Sequence, residues 1–356
     1  MKKIKINDQT IGYGEPTYFI ADIAANHDGD LERAKDLIFL AKEAGADAAK
    51  FQHFKADTIV SDKGFREMGN KQSHQSKWKK SVAEVYQDAS VPEDWNDVLA
   101  ETCEQAGIHY FTSPYDLDLI GDVSEKVAAF KIGSGDINWL ESVEKCAQYG
   151  KPVLIASGAS DLGEVQTTMD LLLGMDGVQT LLMQCNTNYT GSLENFRFIN
   201  LRVLETFAKM YPDLPLGLSD HTPGHATVLG AITLGACAIE KHFTDDCTRE
   251  GPDHPFSMDP KSWREMVNRS RELELALGDG NKRVEGNEIE TVVVQRRAIR
   301  AACALKTGRI ISREDLTVLR PCPTDALPPT ELSKVVGTTL QKDLEKGELI
   351  DWKILG

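Results

Sequence analysis

Two short stretches of this chain, GLSDHT at residues 217–222 and AIEKHF at 238–243, each run from apolar residues into a charged side chain and a histidine. The segment between them, 223–235, has helix-like apolar spacing at Ala226, Leu229, Ile232 and Thr233. The whole reads as strand, helix, strand, which puts His221 and His242 at equivalent ends of neighbouring parallel strands. A lone histidine at such a place reads as a partly buried side chain. Two at one sheet edge lie within reach of a single ion. With few carboxylates nearby, the pair suits a divalent ion with open coordination positions, Mn2+ first and Mg2+ or Co2+ as alternatives, over a closed tetrahedral zinc site. Such an ion polarises a carbonyl oxygen as a Lewis acid.

Two lysines add to the chemistry. Lys50 in AAKFQHF and Lys131 in AFKIGSG stand inside apolar runs, where an unpaired ammonium costs several kcal/mol. Each must face a bound anion or a carboxylate. Gly133, Ser134 and Gly135 offer backbone amides beside Lys131, an arrangement that suits phosphate or carboxylate. A structural salt bridge to Asp22 or Glu240 is the competing reading of both lysines.

These groups need a scaffold that gathers strand ends. Apolar runs at 18–24, 48–54, 109–113, 129–134, 153–157, 179–185, 214–219 and 238–243 read as strands. Helical spacing fills the intervals, clearest in LERAKDLIFLAKEAG, PEDWNDVLAETCEQAG and LGEVQTTMDLLLGM, with Asp28 or Asp30 as the first helix's start signal. Eight alternations predict a (β/α)8 TIM barrel over 1–280, whose chemistry sits at the carboxyl ends of its strands. No GxGxxG or GxxxxGK[ST] follows a strand, which counts against a doubly wound nucleotide-binding sheet. The polar stretch 56–90 is too long for an ordinary loop and reads as an active-site cover or partner contact. A linker is expected over 281–295, and a small β-rich domain, with turns at TG, RPCP, LPP and KG, over 296–356.

The strand ends supply further candidates: Asp22, Gln52, Ser113, Ser134, Ser157, Thr187, Tyr189 and Ser219. Composition bounds what they act on. The chain has 356 residues, 41% hydrophobic and 27% charged, with 40 basic against 55 acidic residues and a net charge of -15. Such a field repels nucleic acid and anionic membranes, so an anionic substrate must be caught by a local cluster of lysine and arginine. The first residues lack the apolar core of a signal peptide, and seven cysteines without a CxxC pair suit a reducing cytoplasm.

Taken in order, IADIAANHDGD, AAKFQ, KIGSGD, GLSDHT, IEKHF and GPDHPFSMDP, followed by a tail with LTVLRP, resemble the sialic acid synthase family, which condenses phosphoenolpyruvate with N-acetylmannosamine or a related N-acyl hexose. The resemblance covers nearly the whole chain. It implies a TIM barrel followed by a C-terminal antifreeze-like (SAF) domain, in a domain-swapped homodimer where each tail caps the partner's barrel. It implies His221 and His242 as metal ligands, and Lys50, Lys131, Ser134 and Ser219 as phosphoenolpyruvate contacts. Thr187 and Tyr189 fall where the family binds substrates, Asp253 resembles its sugar-side acid, and Arg320 resembles the arginine delivered by the tail. The implied reaction is attack of phosphoenolpyruvate on a metal-polarised aldehyde, addition of a metal-bound water at C2 under the guidance of Asp22, and loss of phosphate. The chain departs from the family pattern in having Asp22 where glutamate is usual, CNTNY for CTSxY and FTSP for STP. A legionaminic acid synthase, another phosphoenolpyruvate-condensing synthase of 3-deoxy sugar acids, and a sugar- or ice-binding protein that has lost catalysis are the alternatives.

Overall fold

The computed structural model of the chain describes residues 3–68 and 78–356. They divide into two compact units, Met1–Gly278 and Asp279–Gly356.

The first unit opens with a hairpin, β1 (Ile4–Ile6) and β2 (Gln9–Ile11), paired antiparallel. Asn7 holds a positive φ of 51° in the two-residue turn, a backbone state that asparagine tolerates better than most residues. Eight parallel strands follow: β3 (Tyr18–Asp22), β4 (Ala48–His53), β5 (His109–Pro114), β6 (Ala129–Ile132), β7 (Val153–Ala156), β8 (Thr180–Cys185), β9 (Leu216–Asp220) and β10 (Ala236–His242). They pair in sequence order, and β10 pairs with both β9 and β3, so the sheet closes into a barrel. All eight lie where the apolar runs predict them. The fourth stops two residues short of the expected 134 because Ser134–Asp136 tightens into a 3-10 turn.

Alternation along each strand decides what the barrel encloses. Tyr18 and Ile20 of β3, Ala48, Phe111, Leu154, Leu181 and Met183 form one cluster with Ile4, Ile6 and Ile11, so the hairpin plugs the amino-terminal end. The residues out of phase with them, including Phe19, Ala49, Phe51, Phe130, Ile155, Leu182 and Ile239, pack against the surrounding helices. The helix Leu31–Ala44 shows how the sequence punctuates this layer: Asp30 accepts from the amides of Glu32 and Arg33, and Gly45 ends it in the left-handed conformation.

The long polar stretch contributes helices Ala56–Ile59, Asp62–Met68 and Val82–Ala89; residues 69–77, at its middle, lie outside the described residues. No described helix is long and apolar enough to cross a membrane, and all seven cysteines are free thiols.

The second unit holds β11 (Ala298–Ala301) antiparallel to β12 (Leu316–Leu319) and a core of its own around Ile299, Ile311, Val335, Leu340 and Ile350. The expected linker 281–295 contains the helix Ile289–Gln295, because ETVVVQ holds enough helical spacing to form two turns after the polar run. Here the Arg309 guanidinium grips Asp315 at 2.9 and 2.7 Å, holding that carboxyl down at about 2 with help from the Ser312 amide. Because its folded value is depressed, the pair stabilises the fold above the unfolded carboxylate range near pH 4 and loses that contribution as pH falls towards 2. Asp315→Asn should cost about 1–3 kcal/mol at pH 7 and progressively less below pH 4. Urea unfolding of both proteins across that range checks it, and an equal gap at pH 7 and pH 3 counts against it.

Candidate functional site

At the carboxyl end of the barrel, the inward positions carry polar groups instead of apolar ones. Glu240, in phase with Ala238, has one oxygen that accepts from three strands: Lys131 Nζ at 3.0 Å, Lys50 Nζ at 3.3 Å and Ser219 Oγ at 3.1 Å. Lys50 also lies 2.8 Å from Asp22 Oδ2 and 3.5 Å from Ser113 Oγ. Gln52 donates to the same Asp22 oxygen at 3.1 Å, and the Ala24 amide holds the other. The salt-bridge reading of the two lysines is therefore realised: both ammonium groups are buried against carboxylates. Burial opposes every charge here. The two lysines overcome it for Glu240 and hold its carboxyl at about 2, while Asp22 and Glu240 overcome it for Lys50 and raise that ammonium above its usual value. The second Glu240 oxygen is buried with no partner.

The two histidines stand where the strand ends predict. Their ring centres are 5.3 Å apart. His221 Nδ1 is 3.0 Å from the Asn186 carbonyl, to which it can only donate, so Nε2 carries the lone pair of the neutral ring. His242 Nε2 is 3.5 Å from Asp22 Oδ2, and its buried Nδ1 has no partner. Burial lowers His242 to about 3 and keeps it neutral, the state a metal ligand requires. For His221, burial also acts downward, but a hydrogen bond to the Cys185 thiol and the Asn186 carbonyl reverse it. Among the described residues, no three His, Cys, Asp or Glu converge to hold a metal ion. A cation here would take the two imidazoles and leave its other positions to water or ligand.

Tyr189 packs edge-on to His221 with centroids 4.4 Å apart, and Phe256 approaches His242 at 4.9 Å. Asp253 accepts from the Ala25 amide at 3.1 Å, and burial, reinforced by Asp22, raises its carboxyl to about 6. On the other side of the mouth, Ser134 Oγ accepts from the Gly158 amide at 3.1 Å. A side chain at position 158 would meet Thr187 Oγ1 at 2.0 Å, Ser134 Oγ at 2.8 Å and Cys185 Sγ at 3.0 Å. Only glycine brings the backbone so close to these polar groups.

Not every candidate joins the cluster. Ser157 falls one residue out of phase with Leu154 and donates to the Met183 carbonyl and Gln184, in a second cavity lined by Asp161, Val165 and Phe207 of the helical layer. Arg320 is exposed in the second unit. Lys241 and Asp220 also face outward and pair with each other at 2.5 Å. The residue that reading by strand ends undervalued is Glu240, named only as a possible salt-bridge partner. Period-two alternation from Ala238 to His242 is the signal that points it inward. Nothing comparable marks Gly158, in the turn after β7, and Phe256, in the 3-10 turn His254–Phe256, has no strand alternation to place it.

Removing Glu240 would leave Lys131 without its carboxylate inside the barrel. Glu240→Leu is expected to destabilise the first unit by about 3–5 kcal/mol, the range for breaking a buried pair, read as a lower urea midpoint. Stability within about 0.5 kcal/mol of wild type, the scale of a surface substitution, would contradict the network.

Comparison with known proteins bears on the family and the fold. Residues 37–282 match the NeuB family and 296–355 match the SAF domain. The chain is 35% identical over 350 residues to an N,N'-diacetyllegionaminic acid synthase of Legionella pneumophila, covering 94% of each chain. It is 31% identical to human N-acetylneuraminate-9-phosphate synthase, over 96% of this chain and 93% of that one. Among solved structures, the N-acetylneuraminic acid synthetase of Leptospira borgpetersenii superposes with a TM-score of 0.70 at 26% identity, over 82% of this chain and 95% of the other.

Proposed function

This chain belongs to the NeuB family, and from that premise we propose that it condenses phosphoenolpyruvate with N-acetylmannosamine or a related N-acyl hexose to give a nonulosonic acid and phosphate. The observation that carries the reading is the meeting of Lys50, Lys131, Asp22 and Glu240 with the two imidazoles of His221 and His242 at one barrel mouth.

The charges explain why the site needs a cation. Lys50 and Lys131 are balanced by Asp22 and Glu240, so the protein alone offers no net positive charge to a multiply anionic enol phosphate. A divalent ion on His221 and His242, Mn2+ first with Mg2+ or Co2+ as alternatives, would supply that charge and polarise the acceptor aldehyde. The remaining steps fall to the chain's own groups. Lys50 and Lys131 turn from their carboxylates towards the anionic ends of phosphoenolpyruvate, with Ser134, Thr187, Ser219 and the Gly158 amide as donors. Ser113 keeps Lys50 in place. The enol carbon bonds to the aldehyde carbon as the C=O π bond opens, and the resulting alkoxide takes a proton from solvent to become a hydroxyl. Water adds at C2 and gives its proton towards Asp22, held in position by Gln52. The tetrahedral centre then collapses: the bond from C2 to the phosphate oxygen breaks, the C2 hydroxyl becomes the keto group, and its proton leaves with the phosphate. Tyr189 and Asp253 border the acceptor, and Arg320 from the tail of a second copy completes its site in a homodimer.

Purified protein given phosphoenolpyruvate, N-acetylmannosamine and Mn2+ should release phosphate and a product of the condensed mass. Chelation should abolish release. His242→Ala should lower kcat/KM by at least about a hundredfold and weaken Mn2+ binding measured directly by calorimetry, with an unchanged circular dichroism spectrum. Undiminished turnover in chelator would sink the metal assignment. Lys131→Met should raise the KM for phosphoenolpyruvate far more than that for the sugar.

The dimer has its own check. Arg320→Ala and His221→Ala proteins, each inactive, are mixed and allowed to exchange subunits. A tail acting on its partner restores activity towards about a quarter of wild type, for random exchange and independent sites. No recovery after verified exchange counts against the swap.

A further inference from the structure

Alternation along β5 carries past the end of the strand. Phe111 faces the barrel interior and Ser113 meets Lys50 at 3.5 Å, so the next residue in phase is Tyr115. Its amide donates to the His53 carbonyl at 2.8 Å, which extends the β4–β5 ladder one step beyond Pro114 and keeps the phase. The Phe54 ring backs the phenol edge-on with centroids 6.2 Å apart, and the Tyr86 ring packs on Phe54 at 5.2 Å. Past Tyr189 and Phe256 the mouth opens into an outer cavity of about 640 Å3. Tyr115 is not among the residues that line it; the phenol stands instead over the segment between Lys131 and Ser134.

That segment makes room for the phenol. Gly133 has φ -64° and ψ 153°, an extended conformation open to any residue, so its backbone does not require glycine. The phenol does. A β-carbon at position 133 would meet Tyr115 Oη at 2.6 Å, Cε1 at 3.1 Å and Cζ at 3.3 Å, so the hydroxyl lies against the backbone of KIGSG, beside Lys131. The direction of its proton follows from its neighbours. An ammonium only donates, so Ser113 Oγ accepts from Lys50. The serine proton is then free for the Tyr115 oxygen, to which Ser113 is hydrogen-bonded. That leaves the phenol proton to point onward. Burial, reinforced by Asp136 and Asp22, holds the phenol well above its usual value, so it stays a neutral donor.

Resting on the condensation reading above, we propose that Tyr115 is a further substrate-binding residue, whose hydroxyl donates to an anionic oxygen of phosphoenolpyruvate held between Lys50 and Lys131. The order of the strands carries this placement. Lys50 comes from β4 and Lys131 from β6, and β5 runs between them, so an anion spanning the two lysines crosses the end of β5. The lysines supply charge, and a fixed phenol supplies direction without adding another ion to a balanced cluster.

Tyr115→Phe keeps the ring and its packing on Phe54 and removes only the hydroxyl. Phosphoenolpyruvate is titrated calorimetrically into the full chain with Mn2+ and no acceptor. The variant's Kd should rise by at least about tenfold, the scale of a hydrogen bond to a charged group, with an unchanged melting temperature. In turnover, the KM for phosphoenolpyruvate should rise while that for N-acetylmannosamine stays the same. An unchanged Kd overturns the proposal. So does a rise confined to the KM of the sugar, which would put the phenol on the acceptor. An equal rise in both constants with a lower melting temperature makes the hydroxyl structural and overturns it as well. All three of these results leave the condensation intact. Wild-type protein that neither binds phosphoenolpyruvate nor releases phosphate from it overturns the condensation reading and this inference with it.

Discussion

One carboxylate oxygen, Glu240 Oε1, accepts from Lys50, Lys131 and Ser219, and the site depends on that convergence. The donors come from β4, β6 and β9, while the acceptor comes from β10. No pair of adjacent strands could bring them together. Only closure of the sheet, with β10 hydrogen-bonded to both β3 and β9, turns four separate strand ends towards a common axis. The same closure puts His242 beside Asp22, its register partner across the β10–β3 seam. The chemistry is thus a consequence of topology before it is a consequence of any one residue.

Buried ion pairs are poor sources of stability, since desolvation offsets most of their attraction. Replacing the lysines and carboxylates of this barrel with well-packed aliphatic residues would leave a serviceable core, as the hairpin-plugged end shows. Their presence therefore calls for a use. A balanced cluster is one in which an incoming anion can exchange for an internal carboxylate without leaving a bare charge in a low-dielectric space. Glu240 makes all three of its contacts through one oxygen, so its second oxygen is left to accept from an incoming donor. Asp22 has both oxygens engaged: it is tied to the Ala24 amide and Gln52 as well as Lys50. The two carboxylates have the same charge and different latitude, which suits one to yield and the other to stay and direct a proton.

Much of this was legible in the sequence, for a physical reason. Strands buried on both faces must be continuous apolar runs, so an intruding Lys50, Lys131, His221 or His242 stands out, and eight such runs separated by helical spacing admit few folds. What reading by strand ends lacked was phase. Ser157, Gln184, Asp220 and Lys241 look as promising as Ser219 and Glu240 until alternation is counted from Leu154, Leu181, Gly217 and Ala238, which sends the first group into the helical layer. Asn7 at the hairpin turn and the helix Ile289–Gln295 left weak marks, one being a single turn residue and the other a short apolar run inside a polar segment. Gly158 left none, since its importance lies in what approaches it in space.

That division between strands and loops bears on how such a barrel acquires its substrate. The lysines, Asp22, Glu240 and the histidines are fixed by ladder hydrogen bonds and by one another, so altering any of them disturbs several partners at once. Most of the groups around the outer cavity belong to the helix Val82–Ala89 and to the loop after β10, on segments that carry little of the barrel's core. A charge changed at the rim, at Lys79 or Glu250 for instance, alters the field at the mouth without touching the lysines and carboxylates inside the barrel. Under the proposed condensation, specificity among acceptors can thus shift by single substitutions on exposed elements while the charged cluster, locked into the closed sheet, stays the same.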